Sequence, residues 1–360
     1  MKIQILLNKT SEWVQGQGPE AEIVLTSRVR LARNLKEFPF PNQASAKQRE
    51  EVLTAVEGVI NGIPWLVGSL FLRLDTMDDL DKQFLVERHL ISREHAQGSE
   101  PKAVVISDLE IFSIMIDEED HLRMQAVKSG FQLREAYDLI EKLDSQMEKK
   151  LNFAFHPKIG YLTACPTNVG TGMRASVLLH LPALVLSKQI NQVLQAIIKL
   201  GLAVRGLYGE GTEASGNLFQ ISNQVTLGKK EADILDNLER VIKQIIGHER
   251  NARKLLLKNN LQQLQDKIGR AYGILKNAYM MSSKEGIELL STMRMGVDLG
   301  LFKGIDRQCI NELILLTQPA HLQTITNKSL DTGQRDVVRA ELIRQRLEKA
   351  DRKEKEKQQE

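Results

Sequence analysis

The hydrophobic pattern of this 360-residue chain changes character near residue 250, and that change constrains the fold more than any other feature. Before it, short apolar segments typical of strands alternate with amphipathic helical segments. After it, strand signals fade and apolar residues recur at helical spacing. The pattern predicts a mixed α and β domain over residues 1–252 and a helical domain over residues 253–360, with the boundary placed to within several residues.

Apolar spacing also predicts the individual segments. We expect helices over 45–62, 133–147, 184–197 and 234–245, and strands over 103–107, 111–116, 122–127, 174–181, 204–208 and 218–223. In the second domain, Ser282 followed by Glu285 is typical of a capping box that opens a helix. Residues 334–357 form a further predicted helix, whose mixed-sign charges from Glu348 onward indicate a solvated end.

Composition and charge disfavour several classes of function. A net charge of +3, with 42% hydrophobic and 26% charged residues, does not favour a dominant role on nucleic acid or at a membrane surface. The apolar patch over residues 3–7 is too short for a signal-peptide core, and no segment approaches a transmembrane span. Two cysteines, Cys165 and Cys309, cannot form a disulfide framework. We therefore expect a reduced, cytoplasmic protein.

Two segments carry most of the candidate chemistry. Residues 116–125 place a run of acids, a histidine and an arginine between apolar positions typical of a buried strand, and residues 160–172 form a turn rich in Gly, Thr and Asn around Cys165. Buried charge is costly unless it is paired or used on a ligand. From the residues alone, the acids could instead form a solvated turn or, through Asp117, Glu118 and Asp120, a metal site. Cys165 could equally be an inert buried thiol.

A set of arginines in strand-like segments suggests an anion site. Arg28 and Arg30 alternate within residues 26–30, so on a strand they share one face. Arg123, Arg174 and Arg205 also have strand-like apolar neighbours, and guanidinium groups bind phosphate oxygens in a bidentate manner. Unrelated surface arginines explain the spacing about equally well. The chain has no Walker A sequence and no protein-kinase signature, so the residues alone indicate only an anion site of unknown purpose.

Several longer motifs, in the same order, resemble those of the phosphagen kinases, which move a phosphoryl group from ATP onto a guanidinium nitrogen. The motifs are Thr-Ser-Arg-Val-Arg at 26–30, Glu-Glu-Asp-His-Leu-Arg at 118–123, the turn around Cys165, Arg-Ala-Ser at 174–176, Arg-Gly-Leu-Tyr-Gly-Glu-Gly-Thr-Glu-Ala at 205–214, Ile-Ser-Asn at 221–223 and Leu-Gly at 227–228. The resemblance implies an α+β catalytic domain, with an antiparallel sheet flanked by helices, followed by an all-α C-terminal domain.

The resemblance implies ATP as the phosphoryl donor and a long set of residues that bind it. That set is Thr26, Ser27, Arg28, Val29, Arg30, His89, Arg123, Arg174, Ala175, Ser176, Val177, Leu178, Arg205, Gly206, Leu207, Tyr208, Gly209 and Glu210. The five arginines would hold the phosphates, and His89 would lie beside the nucleotide; without the resemblance a structural role for His89 is the better reading. We expect Mg²⁺ to arrive with ATP, held mainly by phosphates and water rather than by a protein metal site.

The resemblance also assigns roles on the acceptor side. Glu119 matches the catalytic glutamate, and Glu213 matches a second carboxylate that holds the acceptor guanidinium. Cys165 matches a cysteine beside that guanidinium, and we expect it to position the substrate rather than act as a nucleophile. Glycines around Glu213 would let its loop close over the substrate.

Within the phosphagen kinases, the architecture is most similar to the bacterial protein-arginine kinases. Members that act on small guanidines carry a helical domain ahead of the first arginine motif, whereas here that motif begins at Thr26 and a helical region follows instead. Residues 335–340 match an Arg-Asp-x-x-Arg-Ala motif that binds phosphoarginine allosterically in that group. The residues concerned are Arg335, Asp336, Arg339 and Ala340. The simpler alternative is a solvated helix face, on which two arginines four residues apart repel each other.

This resemblance implies ATP-dependent phosphorylation of arginine residues in proteins, which marks those proteins for Clp-type proteolysis in stress responses. The implied partners are protein substrates with exposed arginine, an activator protein, the Clp-type protease machinery and further copies of the chain. One alternative is a kinase for free arginine or another small guanidine. A second is a phosphoarginine-binding adaptor with an inactive kinase fold, against which the retention of Glu119, Glu213 and the arginine set argues.

Overall fold

A central antiparallel sheet organises the first part of the chain. The computed structural model describes residues 3–7, 9–206, 215–302 and 304–357, with side chains as far as residue 352. Eight strands pair in the order β2-β3-β4-β5-β1-β8-β10-β9, and each neighbouring pair is antiparallel. A separate hairpin joins β6 to β7. The strands are β1 (Val24–Arg33), β2 (Leu70–Arg73), β3 (Ala103–Ile106), β4 (Phe112–Ile116), β5 (Leu122–Ser129), β6 (Phe155–His156), β7 (Gly160–Tyr161), β8 (Met173–His180), β9 (Leu202–Gly206) and β10 (Leu218–Asn223).

Helices flank this sheet and make up the C-terminal part. They are α1 (Gln4–Leu7), α2 (Ala46–Asn61), α3 (Asp79–Glu87), α4 (Leu133–Glu148), α5 (Pro182–Leu186), α6 (Ile190–Lys199), α7 (Glu231–Asn259), α8 (Leu261–Asn277), α9 (Ser283–Asp298), α10 (Arg307–Leu316), α11 (Pro319–Thr326) and α12 (Thr332–Lys357). Short 3₁₀ turns lie at Glu12–Val14, Pro64–Leu66, Asp108–Glu110, Pro166–Asn168 and Ser215–Asn217. In the part of the chain that is described, no helix has the length and hydrophobicity needed to cross a bilayer.

The two faces of the central strands differ in chemistry because side chains alternate along each strand. Val29, Ala175 and Ile221 are fully buried on the rear face, where α4 and α7 complete the main hydrophobic core. The opposite face carries most of the polar and charged side chains of the same strands. A slip of one residue in the pairing would move the apolar set into water, so burial of the rear face fixes the register. The same register therefore decides which polar side chains meet on the front face.

The C-terminal helices have a core of their own and pack against the sheet domain. That core includes Leu264, Leu290, Ile314 and Ile343. Buried charges join the two parts: Arg294 Nη2 donates to the backbone carbonyl of Ala21 at 2.6 Å, across the domain interface. Arg294 is fully buried, so this contact offsets part of the cost of removing its charge from water and ties the C-terminal helices to the segment that precedes β1.

Most of the predicted segments are confirmed, and three features differ. The single helix expected over 184–197 is wrong, because Lys188 takes a left-handed conformation (φ 59) that separates α5 from α6. Ser282 caps α9 and accepts a hydrogen bond from the Glu285 backbone N–H at 3.2 Å, which confirms the helix start and one of the two bonds of the expected capping box. The expected boundary between residues 252 and 253 falls inside α7, which continues to Asn259, and the division of domains at that point stays a prediction. Sequence spacing also missed α3 and strands β2, β6 and β7.

Candidate active site

The strand register gathers the predicted arginines on the front face of the sheet. Arg28 and Arg30 lie two residues apart on β1, and Arg174 of β8 lies directly opposite Arg30. Arg123 belongs to β5, on the other side of β1, and Arg205 is on β9 at the sheet edge. Neighbouring strands are about 4.8 Å apart, so these guanidinium groups can meet over one region of the sheet. The shared face expected for Arg28 and Arg30 is confirmed.

This arginine group carries more positive charge than nearby acids neutralise. Burial, with the like charges of Arg123 and Arg174, lowers the pKa of Arg28 to about 10. Burial and the charges of Arg28, Arg123 and Arg174 also lower the pKa of Arg30 well below its ordinary value. Among the described residues, the buried Nε of Arg30 has no hydrogen-bond partner. A polyanion bound here would supply both the missing acceptor and the missing negative charge.

A cleft of about 450 Å³ is lined by four of the five predicted arginines, whereas Arg174 does not line it and donates from Nη2 to the Ser222 hydroxyl at 3.2 Å. Its floor includes Arg28, Arg30 and Arg123 of the sheet, and Arg205 stands at its edge. Gln125, which sequence reasoning did not identify, lies opposite Arg30 on β5 and donates from Nε2 to the His89 carbonyl at 2.7 Å. The cleft therefore combines anion-binding side chains with a neutral polar wall.

A smaller cavity of about 40 Å³ adjoins this cleft, and apolar atoms form most of its surface although polar side chains such as Gln125 and Gln220 also line it. Trp13, Thr26, His89 and Leu178 line it. The rings of Trp13 and His89 meet edge to face, with centroids 5.6 Å apart. An apolar recess beside a cluster of positive charges suits a ligand with a flat base at one end and phosphates at the other.

His89 is held in an unusual backbone conformation at the end of α3. Its φ is 60, in the left-handed region that few residues other than glycine adopt without strain. Burial and the nearby charges of Arg28 and His321 lower the pKa of His89 to about 3, so the imidazole is neutral at physiological pH. A neutral ring fits a role beside a nucleotide base better than a role in phosphate neutralisation.

Glu118 and Glu119 are neighbours in sequence but face different surroundings. Glu118 receives both hydrogen bonds from Arg123 Nη1, at 2.7 and 2.6 Å, and the Ser92 hydroxyl also donates to it. Although burial alone would raise it, the pKa of Glu118 is lowered by Arg123 and Ser92. Glu118 therefore orients Arg123 toward the cleft and stays ionised.

Glu119 is exposed, and its carboxyl group lies close enough to Arg123 for their charges to interact. Partial burial of its carboxyl group, with the like charges of Asp120 and Glu118, raises its pKa above the ordinary value. A carboxylate with a raised pKa accepts a proton more readily and still binds a guanidinium as an anion. The structure thus leaves Glu119, rather than Glu118, open to a second substrate.

Asp120 joins the turn that carries Glu119 to the turn that carries Cys165. Its Oδ1 accepts hydrogen bonds from Asn34 Nδ2 at 2.6 Å and from the backbone N–H of Ala164 at 2.7 Å. Asn34 Nδ2 also donates to the Leu162 carbonyl at 3.1 Å. Asp120 is buried, so these bonds replace lost water and hold the two turns together.

Cys165 lies partly exposed just before the Pro166–Asn168 turn. Its Sγ is 3.0 Å from the Thr167 hydroxyl. Asp120 directly follows Glu119, and Cys165 directly follows Ala164. The hydrogen bond from the Ala164 N–H to Asp120 therefore holds the turn that carries Cys165 against the turn that carries Glu119. The predicted catalytic residues Glu119 and Cys165 are thus on braced turns, whereas Glu213 lies outside the described residues.

Because side chains alternate along a strand, only some residues of the set expected to bind ATP present their side chains to the two cavities. Thr26, Ser176 and Leu178 line the smaller cavity, and Gly206 lines the larger cleft. The side chains of Val29, Ala175 and Val177 lie in the core on the rear face, so only their backbone can face a nucleotide, and their assignment to ATP binding stays a prediction. Ser27 is also buried, and its hydroxyl donates to the Gly130 carbonyl at 2.9 Å. Four further members lie outside the described residues, namely Leu207, Tyr208, Gly209 and Glu210.

The C-terminal helices contribute a wall to the cleft that sequence reasoning missed. Ser283, Gln318 and Pro319 line it. Glu87, at the end of α3, accepts hydrogen bonds from the backbone N–H groups of Ala320 at 2.7 Å and His321 at 3.0 Å. The N-terminus of α11 is therefore anchored to a carboxylate that also lines the cleft. No motif within the sequence signals this contact, because its members are far apart along the chain.

The Arg-Asp-x-x-Arg-Ala residues lie on α12, behind that wall. Arg339 is buried and donates to the carbonyls of Thr317 at 2.9 Å and Met281 at 2.8 Å, and to Asp336 at 2.5 Å. Arg335 is only partly buried, and its Nη2 donates to the Thr332 hydroxyl at 3.1 Å. The two arginines that were expected to repel each other therefore have different surroundings. Arg339 donates to buried carbonyl groups, whereas Arg335 faces the surface. Ala340 packs in the C-terminal core.

The three acids Asp117, Glu118 and Asp120 do not converge on a common site. Glu118 binds Arg123 and Asp120 binds the Cys165 turn, while Asp117 is buried away from both. Within the described ranges, no group of three or more His, Cys, Asp or Glu side chains is placed to hold a metal ion. What the described site offers is a group of arginines suited to a polyphosphate, a recess beside it, and an exposed carboxylate near Arg123.

Comparison with known protein families gives two matches along the chain. Residues 64–252 match the family described as ATP:guanido phosphotransferase, C-terminal catalytic domain. Residues 261–358 match the family described as protein-arginine kinase McsB C-terminal domain. The two matches meet in the region where α7 gives way to α8.

Individual relatives agree with these matches. The chain is 49% identical to the protein-arginine kinase of Halothermothrix orenii, over 96% of this chain and 99% of that protein. It is 50% identical to the protein-arginine kinase of Desulforamulus reducens, over 94% of this chain and 96% of the relative.

Solved structures show the same fold at lower identity. A lombricine kinase is 25% identical, with a TM-score of 0.57 over 68% of this chain and 72% of its own. The duplicated taurocyamine kinase from Schistosoma mansoni, with bound transition state analog components, is 28% identical, with a TM-score of 0.58 over 64% of this chain. This chain spans only 33% of that duplicated protein. The antiparallel sheet flanked by helices, expected from the sequence, is confirmed.

Proposed function

The chain belongs to the protein-arginine kinase family of ATP:guanido phosphotransferases, and from this membership we propose that it transfers the γ-phosphoryl group of ATP to arginine side chains in proteins. One observation carries the proposal. The strand register brings a group of under-neutralised arginines to one face of the sheet, beside the exposed carboxylate of Glu119. Such a site can hold a polyphosphate and a guanidinium at the same time.

On the donor side, the arginines bind and orient the triphosphate. Arg28, Arg30 and Arg174 lie on adjacent strands and can contact different phosphate oxygens. Their charges stabilise the negative charge of the transferring group, which catalysis of phosphoryl transfer chiefly requires. The recess lined by Trp13 and His89 receives the base. Since these side chains stand on a rigid sheet, the γ-phosphate has a fixed position.

On the acceptor side, Glu119 aligns the guanidinium and receives its proton. A guanidinium is a weak nucleophile because its lone pairs are delocalised and its proton is tightly bound. A carboxylate binds it through two parallel hydrogen bonds and thereby aims one nitrogen at the γ-phosphorus. The raised pKa of Glu119 favours uptake of the proton that the nitrogen loses as the N–P bond forms and the bond to the ADP oxygen breaks. We assign Cys165 and Glu213 to the same acceptor side.

Mg²⁺ is proposed to travel with the nucleotide. When bound with ATP, the ion would neutralise part of the charge of the phosphates. Glu118 is occupied by Arg123, and Asp120 is occupied by Asn34 and the backbone N–H of Ala164, so neither carboxylate is free to ligate the ion. The described side chains therefore act on the ion through phosphates and water.

The substrate class is proposed to be arginine within proteins, and the cellular setting rests on the same family membership. Two full-length relatives are named protein-arginine kinases. We further propose that the product marks proteins for Clp-type proteolysis under stress in the cytoplasm, that an activator protein and further copies of the chain take part, and that Arg335, Asp336, Arg339 and Ala340 form a regulatory phosphoarginine site. The partly exposed Arg335 supports the last point, since its guanidinium is at the surface.

One experiment tests the substrate class directly. The protein is incubated with ATP and Mg²⁺ and either an unfolded protein or free arginine, and acid-labile phosphate is measured in each. Phosphoarginine in the protein with much poorer turnover of free arginine supports the proposal. Efficient turnover of free arginine without protein labelling would replace it with a small-guanidine kinase, and phosphoarginine binding without any turnover would replace it with an adaptor.

A further inference from the structure

Exposed apolar side chains cluster around the turn that carries Cys165. Phe155 and Ile159 of the β6–β7 hairpin are 55% and 41% exposed, and Val225 and Leu227, which follow β10, are 54% and 52% exposed. We call these four residues the acceptor patch. Single exposed apolar residues are ordinary on protein surfaces, whereas contiguous ones mark interaction sites. The four residues therefore indicate an interaction site only if they form one contiguous surface.

Direct contacts connect the two halves of the acceptor patch. The rings of Phe155 and Tyr161 meet with centroids 5.2 Å apart. Tyr161 and Gly170 exchange backbone hydrogen bonds, with N to O distances of 2.8 and 3.2 Å. Gly170 packs against the backbone of Leu227 so closely that a Cβ added to Gly170 would lie 2.9 Å from the Leu227 Cα. The hairpin and the segment after β10 are thus parts of one surface.

The same surface is continuous with the acceptor side of the active site. The buried Thr226 hydroxyl lies 2.8 Å from the carbonyl oxygen of Thr167 and 2.7 Å from that of Val169. Because Thr226 points inward, its neighbours Val225 and Leu227 point outward. The turn that Thr226 holds begins at Cys165, which the Asp120 bond to Ala164 keeps beside Glu119.

We propose that the acceptor patch binds an extended segment of the protein substrate through apolar residues next to the target arginine. This inference rests on the proposed function, and it adds a sequence preference to it. The arginine enters toward Glu119 while its apolar neighbours lie on Val225 and Leu227. Lys158, Lys229 and Lys230 are exposed at the margins of the acceptor patch, so an acidic residue in the segment is favoured over a further basic one.

The test compares two peptides that each contain one arginine and one aspartate. In the first, leucines flank the arginine; in the second, serines replace those leucines. The steady-state rate of phosphoarginine formation is measured for the unaltered protein and for Val225→Ser/Leu227→Ser. We expect the unaltered protein to prefer the leucine peptide by about ten-fold in kcat/KM, mainly through KM, since apolar burial on binding is lost in the serine peptide. The double variant should lose this preference and keep its KM for ATP.

A matched control is Val67→Ser/Leu255→Ser, which removes two exposed apolar side chains (74% and 54% exposed) away from the acceptor patch. This control should keep the full preference for the leucine peptide. An undiminished preference in Val225→Ser/Leu227→Ser would overturn the inference. So would a change in its oligomeric mass with the preference intact, which would assign the surface to contacts between copies of the chain. Phosphorylation of neither peptide, nor of an unfolded protein, by the unaltered chain would instead refute the proposed function itself.

Discussion

Arg339 Nε donates a hydrogen bond to the backbone carbonyl of Thr317 at 2.9 Å, and so links α12 to the wall of the cleft over the arginines. Thr317 directly precedes Gln318 and Pro319, which line that cleft. Arg339 also donates to the carbonyl of Met281, two residues before Ser283 on the same wall. The motif on α12 is therefore connected by direct contacts to the surface that faces the cleft. A ligand that alters Arg339 would alter that wall.

The two arginines of this motif should respond differently to replacement. Arg339→Ala leaves buried carbonyls without donors, and we expect it to lower the free energy of unfolding by roughly 2–4 kcal/mol. Arg335→Ala should change it by less than about 0.5 kcal/mol, because Arg335 is at the surface. If the motif binds phosphoarginine, Arg335→Ala should still weaken that binding. Urea unfolding and calorimetric titration, with the ATP site saturated, measure both effects. Normal phosphoarginine affinity in Arg335→Ala would show that Arg335 is only part of a solvated helix face.

Replacement of Arg30 should raise the stability of the protein without ligand and weaken its affinity for ATP. Its charge lies among like charges and its Nε has no partner in the described structure, so Arg30→Met should raise the free energy of unfolding without ligand by about 1 kcal/mol. Loss of a phosphate contact should weaken ATP binding roughly 10- to 100-fold. Arg134→Met is the control, since Arg134 is an exposed arginine paired with Asp236 and should change neither quantity by much. A variant that is less stable yet binds ATP normally would show that Arg30 has a structural role instead.

Asp117 should make stability depend on pH. Burial raises its pKa to about 7, Arg49 opposes this only in part, and neither carboxylate oxygen has a hydrogen-bond partner among the described residues. Between an ordinary aspartate pKa and 7 the folded protein binds more protons than the unfolded chain, so stability falls as pH rises across that range. Asp117→Asn removes the charge and tolerates the left-handed backbone, where φ is 59.

We therefore expect Asp117→Asn to stabilise the protein by about 2 kcal/mol at pH 8, with a smaller gain at pH 5.5. Urea unfolding at the two pH values measures the difference. Equal pH dependence in the variant and the unaltered protein would mean that Asp117 is hydrated or paired in solution.

The sequence predicts the donor side of the site better than its surroundings, for reasons that lie in periodicity. Alternation along a strand suffices to place Arg28 and Arg30 on one face, and to place Val29 on the other. No local rule separates Glu118 from Glu119, because their difference arises when Arg123 and Ser92 meet Glu118 in three dimensions.

The cleft wall and the break between α5 and α6 also could not be predicted from local sequence patterns. The wall depends on Glu87 meeting the start of α11, a contact between residues more than two hundred positions apart. The break depends on the left-handed backbone conformation of Lys188. Lysine is not one of the residue types typical of turns, so the sequence does not indicate this break. The motif resemblance supplied the roles of residues that spacing could not distinguish, and the contacts of Asp120 show how those residues are held.

The most direct test of the site is the formation of phosphoarginine on a protein substrate by Glu119→Gln at saturating ATP. Glutamine keeps the size of the side chain but can neither pair with a guanidinium as an anion nor take up its proton. We predict a loss in rate on the order of 10²–10⁴, with the dissociation constant for ATP nearly unchanged. Arg205→Ala should instead raise the dissociation constant for ATP, because it removes a contact to the phosphates. A Glu119→Gln protein that phosphorylates arginine at a near-normal rate would contradict the assignment of Glu119 to the acceptor and, with it, the account of this site.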